Sequence, residues 1–310
     1  MSNRVLVSEV GLRDGLQSLE RVMPLQAKKE WIAAEAAAGV REIEVGSFVP
    51  ATLLPQMADT AALVEFARTL PGLSVAALVP NLKGAERAIA AGAGKMSIPL
   101  SVSLSHSLRN VRKDHAAMIR EIEAIAARIG AEPAERRPHF EVGLSTAFGC
   151  TIEGRVSEDM VVRLAEQSIA AGAAEVCLSD TAGYANPQQV KRLVRRVKAA
   201  VGAERLNSLH LHNTRGLGLA NALAGLEEGI GTLDSSLGGL GGCPYAPGAS
   251  GNIVTEDLVF MLEAMGIGTG IDIGRLLQVR AVIEAALPGE PLYGFTSAAG
   301  LPLGFEGSGE

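Results

Sequence analysis

The chain has 310 residues, of which 47% are hydrophobic, and its formal net charge is −6. This length suits one large domain or two modest ones, and the acidic balance without a long basic run excludes a nucleic-acid-binding surface, so an anionic ligand requires a local basic pocket. No apolar run approaches the roughly 18 residues of a membrane span, the N-terminus lacks a signal-peptide pattern, and three widely spaced cysteines favour a reducing compartment. We therefore expect a soluble, cytoplasmic protein.

Short β-rich runs alternate with longer helical patterns along the chain. The predicted strands are RVLVSEV, REIEVGSF, LSVAALVP, KMSIPL, HFEVGLST, AEVCLSD, RLNSLHLH and TLDSSLGG. The predicted helices are KKEWIAAEAAAG, residues 56–70, KGAERAIAAG, RKDHAAMIREIEAIAARIG after a polar loop, SEDMVVRLAEQSIAAG, NPQQVKRLVRRVKAAVG, a segment from residue 216, and TEDLVFMLEAMG. Several helices end in a glycine that suits a left-handed cap, namely Gly39, Gly92, Gly172 and Gly229.

This strict alternation implies parallel strands joined by helical crossovers. Eight such units in residues 1–270 have the size of a closed (β/α)₈ TIM barrel, which is the predicted α/β fold. Residues 271–310 are predicted to add a C-terminal helix and tail that pack on the barrel or on a partner subunit. An open, doubly wound sheet is the alternative architecture.

Polar residues gather where several predicted strands end, which is where TIM barrels place their active sites. His210 and His212 lie two residues apart on the seventh strand, so both imidazoles face one side. With Asp14 after the first strand and an amide such as Asn252, they predict a mixed nitrogen and oxygen site that favours Mg²⁺ or Mn²⁺, although zinc also fits. The alternative is a solvated or hydrogen-bonded histidine pair.

Charged and thiol side chains near these ligands predict further roles. Arg13 can stabilise a thioester oxygen that gains enolate charge, or it can form an ordinary ion pair with Glu44 or Asp180. Glu44 can orient Arg13 or a metal-bound water. Cys243 lies in a glycine-rich loop and is either a proton donor or an inert thiol. Cys177 is expected in the core, whereas Cys150 suits a position on the rim.

Two long motifs carry a family resemblance. The first is EVGLRDGLQ, from Glu9 to Gln17, and the second is GGCPYAPGASGN, from Gly241 to Asn252, which continues into TED. PNLKG from Pro80 and DSS from Asp234 also fit. Together these segments resemble the 3-hydroxy-3-methylglutaryl-CoA lyase family, and the resemblance covers nearly the whole chain.

The resemblance implies a metal-dependent enzyme that acts on an acyl-CoA substrate and forms a homodimer. Its metal ligands would be Asp14, His210, His212 and Asn252. Its catalytic residues would be Cys243, Arg13, His210, Asp14, Glu44 and Asp180. Its substrate-binding residues would be Arg13, Gln17, Arg109 and Asn110, the last two in a segment from Ser103 that is expected to contact CoA.

The implied chemistry is a retro-Claisen cleavage that yields acetyl-CoA and acetoacetate from the usual substrate. A base, either His210 or Asp14, would remove the hydroxyl proton. The acetyl-CoA enolate would then be stabilised by Arg13 and protonated by Cys243.

Two departures from the family motifs leave the acyl group open. HLHNTRG places Asn213 and Arg215 where Asp and Tyr are usual, and GCTIEG places Thr151 and Ile152 where Pro and Tyr are usual. A methylmalyl, citramalyl or branched glutaryl thioester is therefore a second substrate class. The alternatives outside the lyases are a condensing acyltransferase of the isopropylmalate or homocitrate synthase type and a non-catalytic barrel that binds CoA metabolites or a partner.

Overall fold

Eight parallel strands form the centre of the molecule in the computed structural model, which describes residues 4–241 and 251–308. The strands are β1 Leu6–Glu9, β2 Glu42–Ser47, β3 Ser74–Leu78, β4 Lys95–Ser101, β5 His139–Ser145, β6 Glu175–Asp180, β7 Leu206–Leu211 and β8 Thr232–Ser235. Each strand pairs with the next, and β8 pairs with β1 through Leu6 with Thr232 and Ser8 with Asp234. This closure confirms the predicted barrel, because an open doubly wound sheet has no pairing between its first and last strands.

Helices follow the strands on the outside of the barrel. They are α1 Leu25–Ala38, α2 Thr60–Ala67, α3 Leu82–Ala91, α4 Leu104–Asn110, α5 His115–Gly130, α6 Glu158–Ala170, α7 Pro187–Val201, α8 Gly218–Glu227, α9 Thr255–Ala264, α10 Ile273–Ala286 and α11 Phe295–Ala299. No helix in the described ranges is long and apolar enough to cross a membrane. Gly39 and Gly92 end α1 and α3 in the left-handed conformation, as predicted.

One helix differs from the prediction, because α4 occupies the segment interpreted as a polar loop. The Ser103 side chain caps α4 by accepting a hydrogen bond from the backbone N–H of His106. Thr146 at the end of β5 in turn accepts from the backbone N–H of Ser103. The two leucines of α4, Leu104 and Leu108, are exposed, so the helix has no buried apolar face that a sequence pattern indicates.

The apolar core lies between the strands and the helices. Outward-facing strand residues such as Ile43, Val142 and Leu178 are completely buried there. The inward faces of the strands differ, because they carry charged side chains and also small ones, such as Ser8, Ala76 and Ser97. The centre of a TIM barrel is usually filled by bulky branched residues, so this barrel has a polar interior.

The C-terminal segment packs on the barrel of the same chain. The backbone N–H of Asp272 donates to the carbonyl of Ala38 at the end of α1, and Asp272 caps α10. The Asp257 carboxylate on α9 accepts from the backbone N–H groups of Phe295 and Thr296 at the start of α11. These contacts place the added helix against α1 and the tail against α9. The division of the chain at residue 270 stays a prediction.

A buried carboxyl group on α1 is expected to lower the stability of the protein at neutral pH. Glu35 is completely buried, and neither of its oxygens has a hydrogen-bond partner within residues 4–241 and 251–308. Burial and the negative charge of Glu9 raise the pKa of Glu35 well above its ordinary value of 4.5. The folded protein therefore holds the proton more tightly than the unfolded chain, so stability falls as pH rises above about 4.5.

Replacing Glu35 by methionine is expected to stabilise the protein at pH 8 by about 1–3 kcal/mol, because the buried charge is removed. The gain should shrink at pH 5, where the carboxyl group is largely protonated in the folded state. Urea unfolding at the two pH values measures both numbers. Glu30→Met on the exposed face of the same helix is the matched control. An equal effect of Glu35→Met at pH 5 and pH 8 would rule out the charge as the cause.

Candidate active site

A cavity of about 740 Å³ opens at the carboxyl ends of the strands. Of the residues predicted for the site, the following line it: Arg13, Asp14, Gln17, Glu44, Arg109, Asn110, His210 and His212. They come from the segments that follow β1 and β4 and from β2 and β7. The barrel therefore brings together side chains that are up to about 200 residues apart in the sequence.

The turn after β1 presents Arg13 and Asp14. Residues Gly11–Gly15 form one turn of π-helix directly after the strand. Glu9, completely buried, holds this turn because its carboxylate accepts from the backbone N–H of Gly11 at 2.7 Å and from that of Leu237. The same carboxylate accepts from the hydroxyl of Thr255 at 2.6 Å. Glu9 thus joins the ends of β1 and β8 to the start of α9, around the candidate site.

The Asp14 carboxylate is held by three donors. Arg13 Nη1 lies 2.5 Å from Oδ1, Gln17 Nε2 lies 2.8 Å from Oδ1, and Asn252 Nδ2 lies 2.8 Å from Oδ2. Burial by itself raises the pKa of Asp14, but Arg13 and the two nearby histidines outweigh it and bring the pKa well below its ordinary value. The group is therefore an anion under all ordinary conditions. Gln17, predicted to bind substrate, lines the cavity and also orients this carboxylate.

His210 and His212 point their Nε2 atoms toward the same place. The two Nε2 atoms are 3.1 Å apart, and they lie 3.8 and 3.6 Å from Asp14 Oδ2. His210 Nδ1 lies 3.1 Å from Asp234 Oδ2 on the neighbouring strand β8. In the neutral tautomer that donates from Nδ1 to this carboxylate, Nε2 presents its lone pair to the cavity. Burial favours neutral His210, but Asp234 and Asp14 together raise its pKa.

Asn252 reaches this site because its backbone forms an isolated bridge with His212. Its side-chain Nδ2 donates to Asp14 Oδ2 and to the Leu240 carbonyl, and these bonds fix the orientation of the amide. The remaining oxygen, Oδ1, is buried and has no hydrogen-bond partner in the part of the chain that the structure describes. A buried, unpartnered oxygen beside an anion and two imidazoles is what a cation ligand requires.

Three of the four predicted ligands can hold a divalent cation together. One ligand atom each from Asp14, His210 and His212 lies within 4.8 Å of the other two, so a single ion can contact all three. Asn252 Oδ1, buried and without a partner among the described residues, is a further oxygen donor next to this group. A carboxylate, an amide oxygen and two imidazoles form a mixed set that accepts several divalent ions. The site therefore supports the metal interpretation over a solvated histidine pair.

Arg13 is fixed on the other side of the site by Glu44. The Arg13 Nε lies 2.5 Å from Glu44 Oε2, and Glu44 Oε1 accepts from the hydroxyl of Ser97 at 2.8 Å. Burial favours the neutral form of Arg13, but Glu44 and Asp14 outweigh it and raise its pKa. The guanidinium is thus a permanent cation on the cavity wall. The ion pair predicted between Arg13 and Glu44 is present, and it positions the charge on the cavity wall, while the functional role of Arg13 stays a prediction.

Asp180 takes a different position from the other predicted catalytic residues. Its carboxylate accepts from the backbone N–H groups of Tyr184 and Ala185 at 2.8 and 3.0 Å, and its side chain is not among the residues that line the cavity. Burial raises its pKa, while these two hydrogen bonds oppose the shift. In this structure Asp180 holds the loop that follows β6, beside the site.

Basic residues surround the mouth of the cavity. Arg109 and Asn110 lie at the end of α4, and Arg112 and Lys113 follow directly and also line the cavity. Arg112 adopts a left-handed backbone with φ of 56°. The sequence analysis missed Arg112, Lys113 and Asp234, although the short basic run in SLRNVRKD was a usable signal for the first two. These cations provide the local basic pocket that an anionic ligand of an acidic protein requires.

The residues that differ from the family motifs do not line the cavity. The Arg215 guanidinium lies 4.6 Å from the ring centroid of Tyr184 and donates to the carbonyls of Ala182 and Gly183. Asn213 Oδ1 accepts from the backbone N–H of Gly218 at the start of α8. The Ile152 side chain is 42% exposed and is not part of the cavity lining. Arg215 therefore braces the loop after β6 and adds no cation to the pocket.

The structure describes two of the three cysteines. Cys243, the predicted proton donor, lies outside the described residues. Cys150 is completely buried in a turn, away from the rim position suggested for it. Cys177 is buried as predicted but faces the barrel interior and lines the cavity. Both described thiols are free.

A closed (β/α)₈ barrel with a candidate metal site, a fixed arginine and a basic mouth at its carboxyl end defines a TIM-barrel enzyme of the metal-dependent class. The HMGL-like family model matches residues 4–283 of the chain. The protein therefore belongs to the HMGL-like family.

Relatives of known activity match almost end to end. The hydroxymethylglutaryl-CoA lyase YngG of Bacillus subtilis is 37% identical over 289 residues, which are 93% of this chain and 95% of that protein. The mitochondrial hydroxymethylglutaryl-CoA lyase of Rattus norvegicus is 38% identical over 287 residues, which are 93% of this chain and 87% of that one.

Solved structures agree with these matches. An HMG-CoA lyase from Acinetobacter baumannii in complex with coenzyme A and 3-methylmalate superimposes with a TM-score of 0.91 at 39% identity, covering 99% of this chain and 98% of that one. The Bacillus subtilis HMG-CoA lyase gives a TM-score of 0.90 at 36% identity, covering 96% and 99%.

Proposed function

We propose that this protein cleaves 3-hydroxy-3-methylglutaryl-CoA to acetyl-CoA and acetoacetate. The observation that carries the proposal is the convergence of Asp14, His210, His212 and the unpartnered Asn252 Oδ1 beside Arg13 in one cavity. The relatives at 37–38% identity are lyases of this kind, which supports the same activity here.

Asp14, His210, His212 and Asn252 would hold Mg²⁺ or Mn²⁺. Their mixed oxygen and nitrogen set suits these ions better than a closed structural zinc site, which is usually built from cysteine and histidine. When bound, such a cation supplies Lewis-acid stabilisation of the substrate oxygen that loses its proton.

The side chains of this protein would carry the remaining steps. Of the two candidate bases that line the cavity, His210 is the better acceptor of the tertiary hydroxyl proton, because the low pKa of Asp14 makes its carboxylate a weak base. The C2–C3 bond then breaks, leaving a ketone on the released acid and an enolate on the thioester. Arg13, fixed by Glu44, stabilises the enolate charge, and the motif assigns the final protonation of carbon to Cys243.

Coenzyme A would enter with its phosphates at the basic mouth. Arg109→Ala is expected to raise KM by about 5- to 20-fold with little change in kcat, because one charge-assisted contact to a phosphate is lost away from the reacting atoms. Steady-state kinetics with the CoA thioester measures both constants. Arg120→Ala, which removes an exposed arginine of α5, is the control and should leave KM unchanged. A fall in kcat alone would contradict the phosphate role.

The proposed function is tested by incubating the purified protein with Mn²⁺ and 3-hydroxy-3-methylglutaryl-CoA. Acetoacetate and acetyl-CoA should form in equal amounts, without release of free CoA thiol. Cys243→Ser and His210→Ala should each lose at least roughly 100-fold in turnover. His139→Ala, at the opposite end of the barrel, is the matched control for histidine removal.

Two results would redirect the assignment. Release of free thiol from acetyl-CoA and an oxo acid would indicate a condensing acyltransferase. Failure to bind Mn²⁺ or to cleave any thioester would indicate a non-catalytic barrel.

We further propose that the protein is a cytoplasmic homodimer. Light scattering of the purified chain tests the oligomeric state, and fractionation of its native cells tests the location.

A further inference from the structure

The interior of the barrel beside the candidate metal site is open. Four inward-facing strand residues, Ser97, Pro99, Gly143 and Ser145, are only half-buried although they lie within β4 and β5. All four line the same cavity as the metal-site residues. Strand interiors of a packed barrel exclude solvent, so this partial exposure marks space that continues inward from the mouth.

The strand register gives the position of this space. Ser179 on β6 pairs with His210, and Cys177, two residues earlier on the same strand, pairs with Gly143. Gly143 on β5 and His210 on β7 stand on alternate strands of a tilted barrel, and such residues share one layer, so Gly143 is level with His210 and Cys177 lies slightly lower. The space around Gly143 therefore lies beside the ligands. We call it the inner pocket, formed by Ala76, Ser97, Gly143, Cys177 and Ser179.

Gly143 leaves this space open, although neither its backbone conformation nor its neighbours require a glycine. Its φ is not positive, so the backbone does not require glycine. A Cβ added there would approach Ile98 O and Ser179 Oγ no closer than 3.9 Å, whereas one at Gly225 would meet Leu209 Cδ1 at 2.3 Å. Glycine also weakens a strand interior, and such a glycine often marks the close approach of a ligand.

The floor of the inner pocket is polar but has its charges paired. Lys95 Nζ lies 3.1 Å from Glu42 Oε1 and 3.2 Å from Glu141 Oε2, and Ser208 donates to Glu141 at 2.9 Å. A carboxylate that entered would find the positive charge of Lys95 already matched by two carboxylates. An apolar chain would remove these groups from water and would offer them no hydrogen bond in exchange. A neutral group that both donates and accepts hydrogen bonds suits this floor.

Resting on the proposed function, we infer that the inner pocket receives the C3 substituent of the acyl group and accepts a neutral, hydroxyl-bearing branch longer than methyl. Coenzyme A is too large to enter the barrel, so its thioester end faces the mouth and the C3 branch faces inward. The cleavage is unchanged: the C2–C3 bond breaks, the hydroxyl proton leaves, and C2 gains a proton. A 2-hydroxyethyl branch would give acetyl-CoA and 5-hydroxy-3-oxopentanoate.

The test compares three synthetic thioesters with the wild-type enzyme and Mn²⁺. They are 3-hydroxy-3-methylglutaryl-CoA and its analogues in which 2-hydroxyethyl or propyl replaces the methyl group. The hydroxyethyl analogue should be cleaved with kcat/KM about 3- to 10-fold above that of the isosteric propyl analogue, the gain of one hydrogen bond. Cleavage of the methyl substrate without cleavage of the hydroxyethyl analogue would overturn the inference but leave the proposed function standing.

Gly143→Val gives a second measurement. Valine suits a strand and fills the inner pocket, so the ratio of kcat/KM for the hydroxyethyl analogue to that for the methyl substrate should fall roughly 10-fold or more. Gly143→Ala should produce a smaller fall in the same direction. Gly94→Ala, at an exposed position before β4 with no contact closer than 3.7 Å, is the control and should leave the ratio unchanged. An unchanged ratio in Gly143→Val would overturn the inference.

Discussion

Asp14→Asn is expected to abolish tight binding of Mn²⁺ and to lower turnover by roughly 1,000-fold or more, since an amide replaces the anion of the site. Asp14 is the carboxylate of the proposed ligand set, and its position is fixed by Arg13, Gln17 and Asn252. Asparagine has nearly the same shape, so the packing of the π-helical turn is preserved while the charge is lost. The loss of affinity follows because imidazole and amide ligands carry no negative charge that could replace that of Asp14.

Electron paramagnetic resonance of free Mn²⁺ measures the binding, and acetoacetate formation measures the turnover. Asp272→Asn is the matched control, because asparagine also caps a helix and Asp272 caps α10 away from the site. The control should bind Mn²⁺ and turn over as the wild type does. If Asp14→Asn retained wild-type Mn²⁺ affinity, the ion would bind elsewhere, and the site assignment would fail.

Arg13→Gln is expected to lower kcat by about 100- to 1,000-fold while the affinity for Mn²⁺ changes much less. Arg13 lines the cavity as a permanent cation, and its Nε and Nη1 atoms contact Glu44 and Asp14. The enolate acquires its charge only as the C2–C3 bond breaks, so a cation placed for it acts on kcat more than on binding.

A fall in Mn²⁺ affinity as large as the fall in kcat would show that Arg13 acts only by orienting Asp14. Arg13→Lys separates charge from geometry, because lysine keeps the charge but cannot contact Glu44 and Asp14 with a rigid, planar group. It should recover only a small part of the activity. Arg128→Gln on α5 is the control. It breaks a partly exposed ion pair with Glu132 and should have no effect on kcat.

Much of the site was predictable because it depends on local periodicity. Alternating strand and helix patterns predict the barrel, and a barrel by itself collects the ends of its strands at one face. The two-residue spacing of His210 and His212 predicts that their imidazoles face one side, and the structure places their Nε2 atoms 3.1 Å apart. Side-chain chemistry alone supported Asn252 only weakly as a metal ligand, and its assignment depended on the resemblance of the loop motif.

Other features depend on which strands become neighbours. Asp234 orients His210 only because β8 pairs with β7 in a register that sets the two residues side by side. Arg215 looked like an added cation near the mouth, but it stacks on Tyr184 from the preceding loop. Cys177 was expected in the core and is buried, but only the closed barrel shows that it faces the cavity.

The sequence by itself determined the order of strands and helices, the barrel class and the residues able to bind a metal, because these follow from periodicity and side-chain chemistry. Only the tertiary structure decided which polar groups meet, that Asp180 binds backbone amides, and that Gly143 leaves space beside the site. The physical reason is that hydrogen bonds and empty space between strands depend on register and closure, which join residues far apart in the chain.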